Sequence, residues 1–155
     1  MTRQPVVAKL IKQAEHLLRS GQFGDSRVRH RGQVEDPIPV LKRGGTLHAW
    51  FIPVTVKGRI AGFFLLSLDA TLLRYSTFQH HEGDLDSCPL SAAWTDKSTI
   101  LQVADKVLLA DEVVKDFYLS FDGVPSRIAW AIDTELPNGQ TRTLYVAGDS
   151  AWSAP

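Results

Sequence analysis

The chain has little of what usually announces a function. One of its 155 residues is cysteine, Cys88, so no internal disulfide can form and nothing marks an oxidising compartment. Lys and Arg together number 17, as do Asp and Glu, which leaves no net charge to draw the chain to nucleic acid or anionic lipid. The longest apolar segment, residues 60–73, is broken by Gly62, Ser67 and Asp69. It is shorter than the roughly 20 apolar residues that cross a bilayer. The first residues carry charges every few positions and have no uninterrupted apolar stretch of the secretory kind. Phosphate loops, Rossmann glycines, nucleophile elbows and paired carboxylates are missing; Gly44-Gly45 has no Lys-Ser/Thr after it and reads as a turn. These absences predict a soluble, cytoplasmic chain with no cofactor, no membrane or nucleic-acid partner, and a leaning away from enzymes.

What is present suffices for a globular core. A chain of this length, 44% hydrophobic, buries roughly two-thirds of its unfolded surface without staples. Charge is uneven along it: residues 1–81 hold twelve basic and five acidic side chains, residues 82–155 five and twelve, for net charges of +7 and −7. Such halves attract one another, within one fold or between copies, unless the charges simply form solvated faces.

Apolar periodicity marks the elements. Val6, Val7, Leu10, Ile11, Ala14, Leu17 and Leu18 fall on one stripe at three-and-four spacing, predicting a helix from Gln4 to Ser20 with Pro5 in its first turn and Gly21 ending it. A second amphipathic stretch follows Asp96 and Ser98, either of which can cap it, with Ile100, Leu101, Ala104, Val107 and Leu108 on one face. Residues 113–121 fit both a continuing helix and a β-branched, aromatic strand.

Each helix precedes a candidate hairpin. The first runs through residues 47–56, turns at Lys57-Gly58 and returns through 59–68, pairing Ile52 with Phe63 and Phe51 with Phe64. Both of its faces are apolar, so it needs cover on both sides, and Pro53 opposite Gly62 suggests an edge or a bulge. The second runs through 127–136 and 140–147 around a three-residue Pro137-Asn138-Gly139 loop. It sets Ile128, Trp130, Ile132, Leu144 and Val146 on one face, and Arg127, Asp133, Glu135, Thr141 and Thr143 on the other.

Ala49-Trp50-Phe51-Ile52 and Ala129-Trp130-Ala131-Ile132 share Ala-Trp-x-Ile, and Asp69 and Asp149 follow the return strands at the same separation of 80 positions. This suggests an internal duplication, residues 1–79 and 90–155, within a single α+β domain of residues 1–155. The predicted fold is two related helix-plus-hairpin units whose antiparallel sheet packs against helices. A helix followed by a hairpin with a return strand such as RTLYVAGDSAW resembles PepSY or PepSY-like domains, and FIPVTVKGRIAGFFLLSLDAT looks like a second copy. The resemblance covers most of residues 1–24 and 46–155. It implies a module that binds and restrains peptidases and supplies no catalytic residues; the lack of a signal sequence or attached protease departs from that pattern.

Chemistry concentrates in residues 80–89, where His80, His81, Asp84, Asp86 and Cys88 include every common zinc-ligand type. Adjacent histidines in an extended loop point apart, and no Cys-x-x-Cys or His-x-x-x-His spacing converges the ligands; a solvated linker explains the same composition. Cys88 becomes a nucleophile only if a histidine lowers its pKa. Arg27, Arg29, His30 and Arg31 form a basic cluster, but without interleaved aromatics for base stacking. Trp50, Phe51, Phe64 and Trp130 read as core, or as the lining of a concave sheet that takes an apolar ligand or peptide. The sequence therefore favours a non-catalytic module for an unidentified protein or peptide, or for a second copy of itself. The alternative is a metal-dependent or thiol enzyme built on the 80–88 cluster.

Overall fold

The computed structural model describes residues 5–154. In chain order its elements are α1 (Pro5–Arg19), α2 (Ser26–Arg31), β1 (Gln33–Val34), β2 (Ile38–Leu41), β3 (Leu47–Val56), β4 (Arg59–Leu66), β5 (Leu72–Thr77), α3 (Ser91–Thr95), α4 (Lys97–Ala104), β6 (Val113–Phe121), β7 (Ile128–Glu135), β8 (Thr141–Ala147) and β9 (Ser150–Ser153). They form two compact units. One comprises residues up to Pro39 with His48–Ser91; the other comprises Val40–Leu47 with residues from Ala92 on.

In the first unit β3, β4 and β5 make an antiparallel meander, and β1 pairs antiparallel with β3. Helix α1 starts at Pro5; the predicted first residue, Gln4, lies outside the described residues. Gly21 takes φ +83° just beyond its end, the left-handed conformation that glycine adopts without a Cβ penalty. Leu10, Ala14 and Leu18 of its stripe are fully buried with Ile52, Val54, Phe64 and Leu66 of the sheet. Each large side chain withdrawn from water in this way stabilises by about 1.5–3 kcal/mol.

The Lys57-Gly58 turn forms as the sequence predicts, pairing Val56 with Arg59 and Thr55 with Ile60. The register then shifts between Thr55 and Val54, so Ala61 is the extra residue and Ile52 pairs with Phe64 rather than Phe63. Pro53 lies opposite Phe63, and its carbonyl accepts from the Glu35 N–H at 2.9 Å. From Phe51 to Val56 and from Ile60 to Leu66 every residue is buried within the single chain.

In the second unit β6, β7, β8 and β9 form an antiparallel meander, while β2 joins β6 in parallel through Val40 and Leu119. The Pro137-Asn138-Gly139 loop sets the expected register: Trp130 pairs with Val146, Ile132 with Leu144 and Asp133 with Thr143. Asp96 caps α4 by accepting from the Thr99 N–H at 2.9 Å. That helix stops at Ala104, short of Val107 and Leu108, and residues 113–121 are strand.

The predicted helix-plus-hairpin architecture is therefore corrected. Strands hold 39% of the described residues and helices 23%; each hairpin is embedded in a longer meander, and the sheet of the second unit is mixed. The helices are few and short. The face of the second unit bearing Tyr118, Ala129, Ala131 and Tyr145 is covered by Leu41, Ala147, Trp152 and Ala154, not by a helix. The physical reason is that β5 and β9 are short, with too few apolar residues in alternation to read as strands, and a parallel pairing leaves no local pattern. Among the described residues no helix is long and apolar enough to cross a membrane.

Candidate functional site

The 80–88 segment folds as a pinned loop against α2. Asp25 caps α2 by accepting from the Val28 N–H at 3.0 Å, and its other oxygen accepts from Gly83 N–H at 2.9 Å and Gln79 Nε2 at 3.2 Å. Partial burial pushes the Asp25 carboxyl up, but these hydrogen bonds outweigh it and hold the group below the usual carboxylate range. Asp84 accepts from the Ser87 hydroxyl at 2.6 Å, which lowers its pKa, and stands 3.9 Å from His81 Nε2. Arg59 donates to the carbonyls of Cys88 at 2.8 Å and Asp86 at 3.4 Å. Cys88 turns inward, 1% exposed, and burial pushes its thiol up.

Among the described residues no three of His, Cys, Asp and Glu gather into a group able to hold a metal ion. His80 and His81 instead line a cavity of about 440 Å³ with Asp25, Arg29 and Tyr75. Burial, then the Asp25 and Cys88 charges, push the Tyr75 phenol up to about 12.

The predicted aromatic contacts are placed as follows. Phe51 stacks near Phe63 with centroids 4.4 Å apart, and Phe64 meets Phe23 at 5.6 Å and Tyr75 at 5.0 Å; Phe51 and Phe64 are both fully buried. Trp130 lies parallel to Phe117 at 4.8 Å and donates its indole N–H to the Trp94 carbonyl at 2.9 Å. Trp50 is half-buried against the core that contains the α1 stripe.

A second arrangement was not read from the sequence. On one face of the second unit, Asp133 accepts from Tyr118 Oη at 2.9 Å and from Thr143 Oγ1 at 2.6 Å, and Asp122 accepts from Trp152 Nε1 at 2.8 Å. Tyr145 lies 6.0 Å from Trp152, centroid to centroid. Burial, with the bond to Asp133, raises the Tyr118 phenol above its ordinary range, and burial raises Tyr145 while the Arg43 charge opposes it. Between these groups Ser120 is 1% exposed, and its Oγ has no hydrogen-bond partner among the described residues. Ser120, Tyr145, Asp122, Lys42 and Arg43 line a cavity of about 400 Å³. Arg43 also borders a neighbouring cavity of about 310 Å³ with Asp133 and Thr143.

Beside it a charged clasp holds the segment after α4. Arg142 donates to Glu112 through Nε at 2.5 Å and Nη2 at 2.6 Å, and Nη2 also reaches the Val107 carbonyl at 2.7 Å. Thr134 Oγ1 and the Leu109 N–H complete the donors to Glu112, whose side chain is fully buried. Hydrogen bonding to Arg142 holds the Glu112 pKa down at about 2. The sequence signal for this face was the polar alternation of Asp133 and Thr143. Tyr118, Tyr145 and Trp152 extend it, and Lys42-Arg43 arrives from a distant segment.

Comparison with protein-family models, curated proteins and solved structures finds no match to this chain.

Proposed function

We propose that the protein is a non-catalytic module that binds a peptide segment of a partner, with the Ser120–Tyr145 trough of the second unit as its recognition surface. The observation that carries this reading is a cavity of about 400 Å³ walled by Phe121 and Tyr145 and edged by Lys42, Arg43 and Asp122. Aromatic side chains next to convergent polar groups suit a ligand with both apolar and hydrogen-bonding parts. The resemblance to PepSY domains points the same way, towards peptide capture without catalysis.

The ionisable groups support binding over catalysis. The shifted carboxylates, Asp25, Asp69, Asp84, Asp96 and Glu112, all move down, and Cys88 moves up. A general acid needs a carboxyl raised towards neutrality, and a thiol nucleophile needs its pKa lowered. The apolar runs of the first hairpin, Phe51 to Val56 and Ile60 to Leu66, are buried within the chain and offer no exposed apolar face of their own.

The test is selection from a displayed peptide library, followed by amide chemical-shift mapping of the selected peptides on the intact protein. The expected shifts centre on residues 118–123, 143–147 and Trp152. Failure to enrich any peptide, or shifts centred on residues 80–88, overturns the reading.

A further inference from the structure

Asn138 is the only asparagine in the chain, and a glycine follows it. Both lie in the exposed loop that joins β7 to β8. An asparagine before glycine carries an electrophile, its carboxamide carbon, next to a nucleophile, the following main-chain nitrogen, which no Cβ shields. Here the fold holds the two apart. The Gly139 N–H donates to the Leu136 carbonyl at 2.9 Å, so its proton is engaged. Among the described residues no peptide bond is cis, and Asn138 is not one of the non-glycine residues with positive φ. The bond therefore closes a type I turn with Pro137 and Asn138 at its centre, in which the second central residue has ψ of about 0°. That angle turns the Gly139 nitrogen away from the side chain, whereas ring closure needs the nitrogen eclipsed with Cβ. The carboxamide is held as well: Oδ1 accepts from the Gln140 N–H at 3.0 Å and Nδ2 donates to Gln140 Oε1 at 3.2 Å.

We propose that Asn138-Gly139 is a self-modification site, converted to aspartate and isoaspartate only when the β7–β8 turn opens. In the opened loop hydroxide takes the Gly139 amide proton, and the nitrogen bonds to Asn138 Cγ. The Cγ–Nδ2 bond breaks, and the side-chain nitrogen leaves as ammonia with a proton from water. Water then opens the cyclic imide at either carbonyl. Breaking the bond to Cγ gives aspartate; breaking the bond to the main-chain carbonyl carbon gives isoaspartate, whose main chain runs through Cβ. One water is consumed and one ammonia released, with no oxidant or reductant. The change is one-way, so the residue records how often the loop has been open. It adds a negative charge, and isoaspartate adds a main-chain carbon to the loop that sets the Ile132–Leu144 register. None of this depends on the peptide-binding reading.

The test follows the mass gain that marks loss of the amide, in the intact protein and in a free peptide of residues 134–142, both in the same mildly alkaline buffer. Chromatography of the fragment bearing residue 138 separates aspartate from isoaspartate. The peptide is expected to convert about tenfold or more faster than the protein, which reacts only from its opened fraction. Pro137→Gly removes the ring that presets the turn, and at unchanged circular dichroism should speed conversion in the intact protein about twofold to fivefold. Asn138→Ser should show no gain.

Equal rates in protein and peptide, or a folded Pro137→Gly protein that converts no faster, overturn control by the turn. Absence of aspartate and isoaspartate from both protein and peptide overturns the site itself, as does a mass gain in Asn138→Ser equal to that of the unsubstituted protein.

Discussion

Glu112 shows how much one residue can hold. It lies on the link between α4 and β6, and its carboxylate collects donors from Arg142, Thr134 and Leu109. Its folded pKa, about 2, lies below the ordinary 4.5, so the group's contribution is complete above about pH 4.5 and disappears as pH falls through about 2. Discounted for solvent screening at the partly exposed Arg142, the shift corresponds to about 1–2 kcal/mol. Urea unfolding followed across this window should therefore show stability declining with acid, and Glu112→Gln should lack that part of the decline. At neutral pH the same variant should be less stable by about 1–2 kcal/mol, because the partly exposed Arg142 loses its charged partner while the glutamine amide still accepts from it. Parallel pH curves for the two proteins would show that the clasp is not what acid breaks. None of this was legible beforehand: Glu112 and Arg142 are 30 positions apart, and each alone reads as a surface charge.

At the scale of elements, what the sequence recorded and what it hid can be separated physically. Turns are local, so Lys57-Gly58 and Pro137-Asn138-Gly139 are both where their chemistry puts them. The bulge at Ala61 is not local, because it answers to how β5 fits against β4. Gly62 pairs with Thr77 there, and a Cβ at Gly62 would meet the Ser76 carbonyl oxygen at 2.7 Å and press on the Tyr75 hydroxyl. Glycine is thus required by the approach of the neighbouring strand, and not by its own dihedral angles. Gly62→Ala should destabilise by about 1–3 kcal/mol, as overpacking does. Adding Tyr75→Phe removes only the hydroxyl clash, so a denaturation midpoint should recover in part, with the backbone clash remaining. Full recovery would place the whole conflict at Tyr75; no recovery would place it at the backbone alone. The candidate trough was hidden for a related reason: residues 113–121 fit a helix as well as a strand, and only cross-strand registry puts Tyr118 beside Asp133, Thr143 and Tyr145.

Over the whole molecule the charge pattern changes meaning once the chain is folded. The halves carrying +7 and −7 are not the folded units. The unit with residues up to Pro39 and His48–Ser91 holds ten basic and eight acidic side chains, and the other holds seven and nine, so the imbalance shrinks to +2 and −2. Two segments do this: Lys42-Arg43 belongs with the C-terminal residues, and Glu82, Asp84 and Asp86 belong with the N-terminal ones. The segment Val40–Leu47 brings more than charge to its unit. Val40 is fully buried and pairs with Leu119, Leu41 packs on the Tyr118–Tyr145 face, and Lys42 and Arg43 line the trough. Burying Val40 is worth about 1.5–3 kcal/mol, and half-burying Leu41 adds a smaller part, together a large share of the 5–15 kcal/mol that holds a typical domain. A fragment of residues 90–155 lacks that segment and leaves the Leu119 edge of β6 unpaired. It should therefore show a flattened near-ultraviolet circular dichroism signal from Trp94, Trp130 and Trp152, and a broad unfolding transition. A synthetic peptide of residues 38–47 added to it should restore both. A fragment that unfolds cooperatively alone, with a signal unchanged by the peptide, would show that the C-terminal half needs nothing from the rest of the chain.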